Sequence, residues 1–426
     1  MKRTLFIVSS TVILACGFSF AQAARQEIVP APLRPASAPA IPAHPSSTDY
    51  PGVQFPRIEA DSRVTFQFKA PDAQKVQVSI NNTAFDMTKG DDGVWTYTSE
   101  PQAPGYHNYW MVVDGAAALD PATNISIGYG HSCNGIEVPE AGVDFYDVKD
   151  VPHGNLLIKN YFAKTTNSWR RIYVYTPPGY DANTTTRYPV LYLQHGGGED
   201  ARAWTEMGHA NLILDNLLAE GRTKPMIIVM ESAPLPGPPS GPAAARGAAP
   251  AALAPPPMTP PGGGAYGQLM INDLIPWIDS NFRTLADKDH RAMAGLSMGS
   301  MMTASVTMAN LDKFSYIGLL SGGTSSGGPR PGPGAFAPGA PPPPLDLKTA
   351  YNGAMADPAQ FNKTVKVLFF SSGTEGMEGA ARLDRYQEQL IAAGITNSYH
   401  YTSPGTAHEW QTWRRSLYAF APLLFR

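Results

Sequence analysis

The sequence predicts an α/β domain, built on a mostly parallel sheet with helices on both faces and preceded by a small all-β sandwich. Two observations predict it. From about residue 155 onward, short continuous apolar runs alternate with stretches of helical period, the pattern of strands buried on both faces. Between residues 50 and 140, apolar and polar residues instead alternate with a period of two, and turn signals separate the runs. A chain of 426 residues is long enough for both parts.

Residues 1–23 read as a secretion signal. Lys2 and Arg3 precede an apolar core at residues 4–15, and Ala21-Gln22-Ala23 gives the small-x-small pattern of a cleavage site. The protein is therefore expected to be exported, to a periplasm or beyond. Cys16, following Ile13-Leu14-Ala15, leaves lipoprotein anchoring as a minor alternative. The apolar core is short for a bilayer span, and no later stretch is long enough to be an integral membrane segment. Residues 24–48, rich in Ala and Pro, read as a linker.

The β module is expected over residues 49–140. Val64, Phe66 and Phe68 alternate with Thr65 and Gln67, and Val76, Val78 and Ile80 repeat the pattern. Asp92-Gly93 and Pro104-Gly105 mark turns before further strands at residues 94–97 and 110–113. Residues 141–154 read as a second linker, leading into the α/β domain at 155–426. There, strands are expected at 171–175, 190–193, 226–230, 291–294, 317–320, 365–370 and 398–402. Helices are expected at 210–220, 268–281, 298–309, 382–393 and 413–424. Two Pro/Gly-rich insertions, 234–264 and 322–344, each follow a strand, so they read as surface decoration or as a rim over the site.

Bulk properties narrow the chemistry. A formal net charge of −3 gives no footprint for nucleic acid. The only cysteines are Cys16 and Cys133, so a chain shortened at residue 23 has no internal disulfide and no thiol-rich metal site.

The motif that carries chemistry is Gly295-Leu296-Ser297-Met298-Gly299, between a short apolar strand and a helix. A serine on such a turn is lifted clear of the sheet, and flanking glycines remove side chains that would collide there. This context makes Ser297 the candidate nucleophile and assigns the domain to the α/β-hydrolase fold. A serine hydroxyl needs a base, and in this fold the base comes last in the chain, on a loop after the final strand. His408, in Pro404-Gly405-Thr406-Ala407-His408, fits that place. The acid that orients it should follow the strand at 365–370, where Glu375 is the first candidate and Glu378 the alternative. Met298, the residue after the nucleophile, supplies one backbone donor for an oxyanion. Gly196 or Gly197, in the loop His195-Gly196-Gly197-Gly198, supplies the other. Trp204 and Trp410, shortly after site-forming loops, are candidate substrate-binding platforms.

These segments resemble the esterase D-like family, which includes the feruloyl and acetyl-xylan esterases of carbohydrate esterase family 1. The resemblance is carried by residues 188–200, by the elbow at 295–299 and by residues 405–413. The β module is similar to the immunoglobulin-like modules often fused to such esterases, some of which bind carbohydrate. The resemblance implies hydrolysis of acyl esters on plant polysaccharides such as xylan, with an acylated polysaccharide or oligosaccharide as substrate and neither metal nor organic cofactor. One departure is plain: the family commonly carries its acid one position after Glu375, where this chain has Gly376. Two alternatives remain, a siderophore (enterochelin-type) esterase and a non-catalytic carbohydrate-binding relative.

Overall fold

A computed structural model describes residues 28–232, 263–322, 345–375 and 380–426. The expected signal segment with Cys16, nearly all of both insertions, and Glu378 lie outside the described residues.

The N-terminal part consists of two antiparallel sheets. In one, Val64–Lys69 pairs with Arg57–Ile58 on one side and Val94–Thr98 on the other. In the second, Gly105–Val113 lies between Val76–Ile80 and His131–Val138, with Ile125–Gly128 beyond. Strand alternation explains why the sheets face each other. Val64 and Phe66 from the first sheet, and Val78, Met111 and Ile136 from the second, are fully buried in one cluster, while Gln67 is exposed.

The second part is one eight-stranded sheet. Its strands are β1 (Asn155–Ala163), β2 (Ser168–Thr176), β3 (Val190–Gln194), β4 (Ile227–Glu231), β5 (Arg291–Leu296), β6 (Tyr316–Leu320), β7 (Val367–Gly373) and β8 (Ser398–Ser403). The spatial order is β1-β2-β4-β3-β5-β6-β7-β8. The pairs β1–β2 and β2–β4 are antiparallel, and the rest are parallel. The continuous apolar runs predict this, since alternate residues bury on opposite faces. Leu191 and Leu193 of β3 pack with α1 (Ala210–Ala219) and α3 (Trp410–Phe420). Val190 and Tyr192 pack with α2 (Met298–Ala309) and the helical stretch from Gly263 to Asn281. That stretch starts earlier than its apolar period suggests and carries a π-helical turn at Met270–Leu274.

Both expected linkers need correction. In residues 141–154, Val143, Phe145 and Tyr146 are buried in the same cluster as α1 and α3. Asn216 of α1 donates its side-chain N–H groups to the carbonyls of Phe145 and Asp147. Three large apolar side chains within four residues leave water if they can, so this connector is core. Within 24–48, Ala31 joins that cluster and His44–Pro45 pairs with Arg57–Ile58.

The two parts are joined by buried charge. Arg414 of α3, with no exposed surface, makes a two-point pair with Glu137 at 2.7 and 2.8 Å. Arg415, 4% exposed, meets both carboxylate oxygens of Glu140 at 2.8 Å. Removing one partner of such a pair strands a buried charge, a cost of about 3–5 kcal/mol.

Candidate active site

The parallel strands end at one edge of the sheet, and the candidate residues emerge there. β5 ends at Leu296, and Ser297 follows with φ 51° and ψ −115°, outside the regions an L-residue prefers. Its N–H is held by the carbonyl of Leu320 at 2.8 Å. The glycines of the motif are explained by space. A side chain at Gly295 would strike the Gly299 carbonyl, and one at Gly299 would strike the carbonyls of Gln194 and His195. The elbow therefore packs backbone against backbone, and α2 begins at Met298.

His408 lies on the loop between β8 and α3, and its Nε2 is 2.9 Å from Ser297 Oγ. The imidazole ring stands edge-on to Trp413, with centroids 5.1 Å apart. His408 keeps an exposed edge, but partial desolvation of the ring by the surrounding chain lowers its pKa from the ordinary histidine value, which favours the neutral form that can accept a proton. The loop approaches the end of β7 so closely that a side chain at Gly373 would strike the Thr406 carbonyl.

Glu375 does not reach the imidazole. Its N–H donates to the Thr406 carbonyl at 2.9 Å, two residues before His408, but its carboxylate is exposed and accepts from Thr374 Oγ1. Among the described residues, no carboxylate is hydrogen-bonded to His408.

The loop after β3 is ordered by side chains that the sequence alone does not assign. Gly196 N–H donates to Glu199 Oε2 at 2.8 Å, while Gly197 is exposed at the turn. Burial pushes the Glu199 carboxyl up to about 8, with the neighbouring Asp200 adding to the rise. The loop is also touched by the N-terminal part: Gly130 N–H donates to the Gly198 carbonyl at 2.9 Å. His195 is buried, and burial lowers it to about 4, so it is neutral; its Nδ1–H donates to the Gly196 carbonyl.

Trp204 and Trp410 are not at the surface of the site. They are 0% and 3% exposed and pack edge to face within the core, and Trp204 Nε1–H donates to the Gln194 carbonyl. The expected aromatic platform is core packing, because both rings are enclosed in the main hydrophobic cluster of the domain. Cys133 is also buried, and burial raises its thiol to about 11, well away from a reactive thiolate. Among the described residues, no cluster of three or more His, Cys, Asp or Glu side chains has the makings of a metal site.

Comparison with known proteins bears on the fold and the family. The solved structure of a ferulic acid esterase from Anaeromyces mucronatus, in complex with ferulic acid, superposes with a TM-score of 0.50 at 23% identity, covering 66% of this chain and 95% of that one. The enterobactin esterase of Shigella flexneri superposes with a TM-score of 0.54 at 16% identity, over 85% of this chain and 93% of that one. At such identities the likeness concerns the fold. The endo-1,4-beta-xylanase/feruloyl esterase of Xylanibacter ruminicola is 36% identical over 390 residues, which is 90% of this chain and 47% of that protein. The chain thus spans about half the length of this curated relative. The esterase family model matches residues 163–424, from the end of β1 to the last turn of the chain, and the protein belongs to that family.

Proposed function

We propose that this protein is an exported serine carboxylic-ester hydrolase that removes feruloyl or acetyl groups from plant polysaccharides such as xylan. The observation that carries the reading is the 2.9 Å contact between Ser297 Oγ and His408 Nε2 on a strained strand-to-helix turn. The family supports ester chemistry, and the relative named for xylanase and feruloyl esterase activity supports the substrate class.

In this reading Ser297 Oγ attacks the ester carbonyl while His408 Nε2 takes its proton. The same imidazolium then protonates the leaving alcohol, a sugar hydroxyl. Negative charge develops on the carbonyl oxygen, at the N-terminus of α2, where the Met298 N–H and the helix dipole favour it. Gly196 N–H is engaged by Glu199, so Gly197 N–H is the second donor in this scheme. Water activated by His408 then releases the acid and restores the serine. The acid of the triad is assigned to the loop after β7. Glu375 faces solvent with its carboxylate on Thr374, so Glu378 is the candidate. The N-terminal sheets correspond in this reading to the immunoglobulin-like module of such esterases.

The test is a substrate panel on the full chain: a ferulate ester, acetylated xylan, 4-nitrophenyl acetate and a ferric siderophore ester. The enterobactin esterase likeness, which extends over both parts of the chain, motivates the last. Turnover of ferulate or acetate esters is expected, with a loss of about 10⁴-fold or more in kcat for Ser297→Ala. Preference for the siderophore ester would replace the substrate class. Binding to xylan without turnover or fluorophosphonate labelling would defeat the hydrolase reading.

A further inference from the structure

The loop that carries His408 is held from outside the α/β domain. Glu140, two residues past the strand His131–Val138, is 8% exposed, and both its oxygens lie 2.8 Å from Arg415 Nη2. Gln411 Nε2 donates to the same carboxylate at 2.5 Å, and the Arg34 N–H does so at 3.3 Å. The other arm of the guanidinium, Nη1, donates to the Pro404 carbonyl at 2.9 Å and to Ser403 Oγ at 3.3 Å. From there the contacts continue along the loop. Ser403 Oγ meets Thr406 Oγ1 at 2.7 Å, Thr406 Oγ1 meets Thr412 Oγ1 at 2.7 Å, and Thr412 Oγ1 donates to the Ala407 carbonyl at 2.6 Å. The chain of contacts ends one residue short of His408.

A second grip lies across the site. The turn at Gly130 donates its N–H to the Gly198 carbonyl. Gly198 has φ +79°, and a side chain there would come within 2.8 Å of Gly130 N. The N-terminal sheets thus touch both loops that flank Ser297.

We propose that the N-terminal β module is a positioning part of the esterase site, with Glu140 holding the His408 loop through Arg415. This rests on the Ser297–His408 reading above. A guanidinium fixed by a buried carboxylate on one side clamps a loop carbonyl on the other, because its planar fork leaves little freedom. A base must sit within hydrogen-bond reach of the proton that it takes, and misplacement by about 1 Å costs on the order of 100-fold. A module that served only to bind polysaccharide would not affect turnover of a small soluble ester.

The experiment uses the full chain and 4-nitrophenyl acetate. Glu140→Gln, Glu140→Ala, Arg415→Met and the double variant Glu140→Gln/Arg415→Met are compared at a temperature where circular dichroism shows each to be folded. The expected result is a fall in kcat of about 10- to 100-fold with KM within about twofold. The acid-limb midpoint of kcat/KM should also move up toward the ordinary histidine value, as a loosened ring gains water. The double variant, which strands no charge, should lose no more than the single ones. If the charge variants do not fold, Gln411→Ala removes one hydrogen bond to Glu140 and must still lower kcat at constant KM. Folded variants with wild-type kcat and an unmoved limb overturn the inference while leaving the esterase reading intact. A wild-type chain inert toward the ester overturns that reading, and this inference with it.

Discussion

The elbow at Ser297 and the loop at His408 meet within 2.9 Å but are built by opposite means. The elbow is held by its own neighbourhood. Its flanking glycines admit the carbonyls of Gln194, His195 and Gly299, and its serine amide is fixed by the adjacent strand. The histidine loop is contacted at the Pro404 carbonyl by Arg415, whose carboxylate partner Glu140 lies 275 positions before it in the sequence. The nucleophile is presented by five consecutive residues packed on neighbouring strand ends of the same sheet, whereas the loop of its base is also tied to Glu140, outside the α/β domain. Rigidity at the two ends of one hydrogen bond therefore has different origins, and each end can be loosened separately.

Removing the acid tests the histidine side most severely. In the Glu378 assignment, Glu378→Gln lowers kcat by about 10³- to 10⁴-fold, as expected when an imidazole loses the group that sets its tautomer. Glu375→Gln, with its carboxylate in solvent, should stay within about threefold, as exposed polar contacts contribute little. Steady-state kinetics of both variants check this, and a larger loss for Glu375→Gln would return the acid to that position.

On the elbow side, Gly299→Ala forces a methyl group into the carbonyls of Gln194 and His195. A displaced elbow of about 1 Å costs on the order of 100-fold in kcat. The loss should appear with Glu140 and Arg415 untouched, measurable by the rate of fluorophosphonate labelling. Wild-type labelling would mean that the elbow is not the rigid partner described above.

The smallest effect concerns pH. His408 has its pKa lowered by partial desolvation of its ring, so it is neutral and able to accept a proton at a lower pH than an ordinary histidine. The acid limb of kcat/KM should lie below the ordinary histidine value of about 6.5. Glu199, pushed up to about 8, is largely protonated at neutral pH and ionises above it. Its negative charge then appears in the loop that, in the proposed scheme, supplies the Gly197 N–H to the oxyanion, so kcat/KM should decline above about pH 8. Glu199→Gln keeps an acceptor for the Gly196 N–H and carries no charge, so the alkaline limb should flatten, by less than about tenfold at any pH. An alkaline limb that survives in this variant would assign it to another group.

These contrasts track what was legible in the sequence. The elbow and the histidine loop were readable because each is a short local pattern between a strand and a helix, and the alternating apolar runs predicted the sheet around them. The pairing of Glu140 with Arg415 was not readable, since nothing local marks which distant carboxylate a helix arginine will meet. Trp204 and Trp410 were misread because a tryptophan after a site loop looks the same in sequence whether it lies over the loop or beneath it. Residues 141–154 could have been read better: Val143, Phe145 and Tyr146 are too apolar for a solvated connector.

The buried arginines on α3 carry a practical consequence for anyone seeking a minimal version of this protein. Cutting the chain before β1 would retain every residue of the elbow and of the histidine loop. It would also leave two adjacent guanidinium groups of α3 without the carboxylates on the discarded piece that each is matched to, and would uncover the apolar cluster that Val143, Phe145 and Tyr146 help to fill. Such a fragment would be expected to aggregate rather than work, and the smallest useful unit extends back at least to Glu137.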